Sequence, residues 1–464
     1  MTTFTESTTR RSHRPRAIGI LVAASILVVA SYTLSGFIAS PRQAPDAVRS
    51  AESIDGPGAL PRVEAAPAPD SIVQIERSIA TWSANLAAEP RDHIAATTLA
   101  TLYHARGRLT GDLGDQQRAL AFAEDAARLA PSEAAGRSIQ AVVLYTLHDF
   151  EGALRVAGSL FRADPTQLSA LATMADAELE LGRIELARGH LNQLATQAPG
   201  PEVDIRLARL AFLTGQPDEA LRLAVAARDA TAAALSIDGS GDLGFSEFAV
   251  GEYARLAGDA ALARTSFEAA LAIRQTDLGA LVGLARVHAF EGRTNEAVDA
   301  LQLAVAIAPQ PETVALLGDI LESTGDPAAA ATQFETVRFI ERLGETQSSV
   351  FDRVLLRFES DHGGASDDLL AKARASLAAR PDPSGHDAVA WVLYRLGRID
   401  EAASEIAAAG ADGSTDARYL FHRGAIALAG GDGAAGRADL ERALALGPAL
   451  DPHERAEAER LLGR

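Results

Sequence analysis

Cysteine is absent, which excludes disulfides, thiolate metal sites, covalent haem attachment and cysteine catalysis together. The compartment stays open, since an exported chain can do without disulfides. Lys372 is the only lysine, so nearly all cationic charge is guanidinium. Aromatic residues make up 5% of the chain, and Val-rich alternating runs are scarce after residue 70. Both facts argue for helices packed through small side chains. Basic residues are in deficit: 43 Lys and Arg face 62 Asp and Glu, a net charge of −19. An acidic surface repels phosphate backbones, which argues against nucleic acid as a partner. What is abundant is apolar. Hydrophobic residues are 47% of the 464, mostly Ala and Leu, enough for one large core or a repeat array.

The N-terminus has the pattern of an export signal. Residues 10–16 read RRSHRPR, and residues 17–39 (AIGILVAASILVVASYTLSGFIA) carry no charge. As a helix, that run spans roughly 35 Å, enough to cross the hydrocarbon core. Arg10, Arg11, Arg14 and Arg16 precede it against Glu6 alone. The basic flank stays cytoplasmic, which sends the C-terminal bulk outside. The expectation is a retained single-pass anchor; the alternative is a signal peptide that is removed, leaving a secreted chain. Cleavage sites are poor, with Phe37 or Ile38 three places before the bond. The Arg pair is similar to a twin-arginine signal, but His13 stands where an apolar residue belongs. Residues 40–69 hold Pro41, Pro45, Pro57, Pro61, Pro67 and Pro69 and are expected to form a tether without a core.

From residue 70 the chain repeats itself. LGRIELARGHLNQLATQAP, ending at Pro199, aligns with EGRTNEAVDALQLAVAIAP, ending at Pro309. Turn glycines fall at Gly182, Gly215, Gly258, Gly292 and Gly325, which are 33, 43, 34 and 33 residues apart, and again at Gly397 and Gly431. Small residues follow in register: Ala153, Ala187, Ala220, Ala263, Ala297, Ala330, Ala402 and Gly436. The pattern predicts helical hairpins. A first helix ends at a glycine able to take φ > 0, and a second crosses it at a small residue. Proline then stops the unit at Pro165, Pro199, Pro309 and Pro448. Ala175, Ala208, Gly251, Ala285, Gly318, Ala390 and Gly424 give the first helices their points of close approach. One hairpin cannot bury its own apolar face, so neighbours must stack.

These features resemble the tetratricopeptide repeat (TPR) family over about residues 70–464, in roughly ten units. The order of an early widened unit, FDRVLLRFESDHG, HDAVAWVLYRLGR and FHRGAIAL is similar to exported, membrane-anchored bacterial members. Three places depart from the pattern. RLTGDLGDQQ at 108–117 is expected to be a loop, residues 338–380 hold one degenerate unit with Arg357 where a small residue belongs, and 235–243 is an insertion. Residues 451–464 are expected to cap the solenoid with a polar face. The fold class is therefore all-α: a TPR solenoid after one N-terminal transmembrane helix.

The insertion invites a calcium reading. With Glu247 at position 12 of an EF-hand loop, Asp238 and Ser240 fall at positions 3 and 5, but position 1 is Ser236 in place of a carboxylate. Starting at Asp238 fails, since Leu243 then occupies the glycine position. Asp238, Ser240 and Glu247 are the candidate ligands, and weak calcium binding at most is expected. A turn cluster ahead of a helix explains the stretch as well.

No HExxH, GxSxG, phosphate loop or dinucleotide fingerprint occurs, so neither enzyme chemistry nor a cofactor is expected. Asp361-His362-Gly363-Gly364 looks like a dyad, but helix termination accounts for it. The family resemblance implies a concave groove lined by first helices. Mapped onto this sequence, it includes Arg209, Phe212, Phe248, Glu252, Arg255, Arg286, Asp319, Trp391 and Tyr394. Arg209, Arg255 and Arg286 come from consecutive units and could clamp a partner's carboxylate. The plainer alternative pairs them with Glu252 and Asp319, and stacks Trp391 on Tyr394. The expected function is a membrane-anchored extracytoplasmic scaffold for proteins or peptides. The alternative is a calcium- or glycan-binding envelope module using residues 236–247.

Overall fold

The computed structural model describes residues 72–238, 242–344, 352–410 and 413–464, and every regular element among them is helical. The basic segment 1–16, the span at 17–39 and the tether at 40–69 lie outside the described residues. Among the described residues no helix is long and apolar enough to cross a membrane.

Helix α1 (Ile72–Ala88) leads the array. Hairpins follow: α2 (His93–Thr110) with α3 (Leu113–Leu129), α4 (Ala134–Thr146) with α5 (Phe150–Ala163), and α6 (Leu168–Glu180) with α7 (Ile184–Gln197). Next come α8 (Pro201–Leu213) with α9 (Pro217–Asp238), α10 (Leu243–Leu256) with α11 (Ala260–Ile273), and α12 (Leu278–Phe290) with α13 (Thr294–Ile307). Then α14 (Pro311–Ser323) pairs with α15 (Pro327–Gly344). Short α16 (Asp352–Phe358) runs into a π-helical turn (Glu359–Gly363) and pairs with α17 (Asp367–Ala379). The array closes with α18 (Pro383–Arg395) on α19 (Ile399–Ala409), α20 (Ala417–Ala429) on α21 (Gly433–Ala445), a 3₁₀ turn (Gly447–Ala449) and α22 (Pro452–Leu462).

The turn chemistry follows the sequence. Gly182, Gly215, Gly258, Gly292, Gly325, Gly397 and Gly431 all have φ between 68° and 89°. At Gly258 the chain makes the six-to-one bond of a left-handed cap, Asp259 N–H to Ala254 O at 2.8 Å. The Asp259 side chain then accepts from the Leu262 N–H and starts α11. One unit lacks the glycine, and there His148 itself takes φ 61°. The second-helix alanines from Ala153 to Ala402 in the register above are at most 1% exposed. The first-helix glycines admit aromatic rings: a Cβ on Gly251 would meet the Phe267 ring at 2.7 Å, and one on Gly318 the Phe334 ring at 2.3 Å.

Three local expectations change. Residues 108–117 are not a loop. Helix α2 continues to Thr110, Gly111 turns with φ 71°, and Asp112 caps α3 by accepting from the Gly114 N–H. The insertion is spent mainly on lengthening α9, after which Asp242 caps α10 by accepting from the Phe245 N–H. Helix α22 has the expected polar outer face at Glu459 and Arg460, but Glu454 and Glu457 turn inward and are buried. They face arginines of the array, which supply the charge that solvent would otherwise neutralise.

The superhelix is wound tightly enough to meet itself. The 3₁₀ turn packs on α10 and α12, and α22 packs on α12, α14, α20 and α21. Turns of distant units touch as well: a Cβ on Gly215 would lie 2.2 Å from the Gly413 carbonyl oxygen. The inner face of the middle units is thereby covered by the C-terminal units.

Candidate ligand-binding cavity

Between the inner helices α4 to α12 and the covering units lies a cavity of about 380 Å³. Its apolar wall comes from Tyr145, Leu179, Phe212, Phe248, Tyr253 and Val282. Phe248 and Tyr253 are buried, packed there because their helices expose small residues to α11. The polar wall is an arginine array. Arg209, Arg255 and Arg286 all reach it, as the consecutive-unit spacing predicts.

Each of the three is already paired. Arg209 donates to Glu180. Arg255 grips Glu252 at 2.6 and 2.9 Å and donates to the Pro448 carbonyl at 3.1 Å. Arg286 bridges Glu312 at 2.9 Å and Asp451 at 2.7 Å. Asp451 also receives Arg418 at 3.3 Å. Burial alone would raise the Asp451 carboxyl, but Arg286 and Arg418 outweigh it and hold the group far below the usual carboxylate range. So the three arginines do not converge on one carboxylate: Arg209 holds Glu180, Arg255 holds Glu252, and Arg286 alone of the three bonds Asp451.

The degenerate unit supplies the remaining charge. Arg353 donates to Asp382 and to the Arg380 carbonyl, the latter at 2.6 Å. Arg357 lines the cavity yet makes no hydrogen bond or ion pair with any described residue. Burial, with repulsion from Arg418, lowers its pKa, and the nearby carboxylates of Glu312, Asp387 and Glu454 offset this only in part. Among the wall atoms buried without a hydrogen bond are Arg209 Nε and Glu312 Oε2.

The other predicted residues are placed differently. Trp391 does not line the groove. It is 1% exposed, donates to Asp361 at 2.8 Å and lies between Tyr394 and His422, with centroids 4.8 and 3.9 Å away. Half-buried Tyr394 is thus a packing partner, as the plainer alternative expected. Asp319 turns away from Arg286 toward His362, 3.0 Å distant. At the insertion, the side chains of Asp238 and Ser240 lie outside the described ones. Glu247 sits 4.0 Å from Arg228, and Asp242 is engaged by Arg274 at 3.1 Å besides capping α10. Arg353, Arg418 and Asp451 escaped the sequence reading. Only Arg357 left a trace, as a large charged residue in a small-residue register.

Residues 254–320 match the model of the tetratricopeptide repeat family. No curated protein matches the sequence. Similar solved structures include PilW, titled a widely conserved type IV pilus biogenesis factor, with 18% identity and TM-score 0.37 over 48% of this chain and 98% of that one. The human IFIT1 dimer with PPP-AAAA has 14% identity and TM-score 0.43 over 81% and 87%. A tetratricopeptide repeat protein from Parabacteroides merdae has 16% identity and TM-score 0.32 over 57% and 99%.

Proposed function

We propose that this chain, a tetratricopeptide repeat protein, is a scaffold that binds other proteins outside the cytoplasm and is tethered to the membrane by residues 17–39. It takes a short acidic segment of its partner into the arginine-lined cavity. The observation that carries this reading is Arg357, a buried guanidinium on the wall of a cavity sized for a small ligand, near acids but gripped by none of them in a direct ion pair. A carboxylate is its natural complement, because a planar fork of N–H donors matches two carboxylate oxygens. A peptide also brings amide N–H and carbonyl groups, which complement Glu312 Oε2 and Arg209 Nε. The apolar wall accommodates the segment's side chains.

The experiment is a fluorescence-polarisation series on the detergent-solubilised full chain, using short peptides ending in Asp or Glu against amidated and neutral versions. Acidic peptides bind, and Arg357→Gln weakens them at least tenfold. Equal binding to Arg357→Gln, or no preference for acidic peptides, overturns the cavity reading. The tether is tested separately by fractionation and by protease accessibility on whole cells. Full-length chain in the soluble cytoplasm overturns it.

A further inference from the structure

Outside the cavity, three polar groups converge where α14, the π-helical turn and α22 meet. Asp319 comes from α14, His362 from the turn and His453 from α22, and one ligand atom of each lies within 4.8 Å of the others. His362 Nε2 stands 3.0 Å from Asp319 Oδ1. That is ion-pair distance, and Asp319 Oδ1 and His453 Nε2 are both buried without a well-formed hydrogen bond. The two imidazoles are tilted by 53° to each other, with centroids 5.0 Å apart.

The geometry points to a divalent transition-metal site, of the zinc class, formed by Asp319, His362 and His453. A simple Asp–His ion pair accounts for His362 but leaves buried His453 Nε2 without a hydrogen bond. Two imidazole nitrogens and one carboxylate oxygen suit a borderline cation such as zinc, whereas calcium and magnesium prefer oxygen alone. Bonds of about 2.0–2.2 Å would draw the more widely spaced ligand atoms together and open the Asp319–His362 contact slightly. A fourth position remains for water or for Glu457, whose carboxylate is 3.9 Å from His453 Nε2.

The surroundings fix the ligands in the way metal sites require. His362 stacks on Phe334 at 4.2 Å and tilts against Phe358 at 5.1 Å. Arg338 donates to the His362 carbonyl at 3.1 Å. Asp361, next in the turn, is held by Trp391 and Arg395 at 2.8 and 2.7 Å. The π-helical turn thus presents one histidine at a set angle, a use such turns often serve. A cation here staples the C-terminal helix to α14 and keeps the superhelix closed. This site stands independently of the peptide cavity.

The test uses the full chain in detergent, stripped with a chelator and titrated with Zn²⁺ and Co²⁺ by calorimetry and absorption. One equivalent binds, Co²⁺ gives visible d–d bands, and Zn²⁺ raises the melting temperature. His362→Ala and His453→Ala each weaken binding at least tenfold and remove the bands, while His386→Ala, whose imidazole pairs with Glu405, does neither. If the alanine variants fail to fold, the near-isosteric Asp319→Asn decides by the same readouts. No saturable binding to the wild type, or binding unchanged by Asp319→Asn and His453→Ala, overturns the site.

Discussion

Arg286 and Asp451, 165 residues apart in sequence, are joined by a 2.7 Å bond from Nε to Oδ1. It links a middle unit to the first turn of the last helix, where both side chains are nearly buried. Breaking such a pair strands a charge in a poorly solvated place, which costs about 3–5 kcal/mol. Asp451→Asn is therefore expected to destabilise the chain by about 3 kcal/mol and to expose residues 447–464 to protease. The double change Arg286→Met with Asp451→Leu costs less than the sum of the two singles. Denaturant midpoints and limited proteolysis measure both effects.

Gly215 and Gly292 have nearly the same turn, φ 76° and 72°. Only Gly215 meets another unit, with Gly413 O at 2.2 Å from a built Cβ, while nothing lies within 4 Å of one on Gly292. Gly292→Ala should cost about 1 kcal/mol, the backbone term alone. Gly215→Ala should cost clearly more, about 3 kcal/mol, because the distant turn must also move. Equal losses in chemical denaturation would show that the two turns do not touch in solution.

His104 is buried, and its pKa is pushed down to about 4 by burial, with repulsion from Arg108 adding to it. The unfolded chain takes up this proton near pH 6.5, and the folded chain resists it until about 4. Stability from this group is therefore complete above pH 6.5 and drains as pH falls toward 4. Between pH 7 and 4.5 the loss is about 2–3 kcal/mol. His104→Gln should shrink the measured drop over that interval by a similar amount, and an undiminished drop would assign the acid sensitivity elsewhere.

Arg357 should be a liability for the empty fold, since an unpaired cation on a cavity wall is poorly solvated. Arg357→Leu is expected to raise stability by about 1 kcal/mol while abolishing acidic-peptide binding. A melting scan and a binding isotherm on the same sample separate the two. Loss of stability would mean that Arg357 has structural partners.

The hairpins were legible because their causes are local. Gly182 or Gly258 ends a helix through its own φ, Asp259 caps the next through its own side chain, and Ala187 is small because the neighbouring helix crosses there. Such signals recur with the period of the unit, so a single sequence displays them many times. Closure of the array is different. It sums small rotations over many units, altered by the lengthened α9 and the degenerate 338–380 unit, and no residue encodes that sum. Hence Asp319 pointed to His362 rather than Arg286, and Trp391 fell inside a packed layer. The three clamp arginines were visible in the sequence by their register. That Arg286 would meet Asp451, and that His453 would arrive beside His362, was decided only when the C-terminal helix closed onto the middle units.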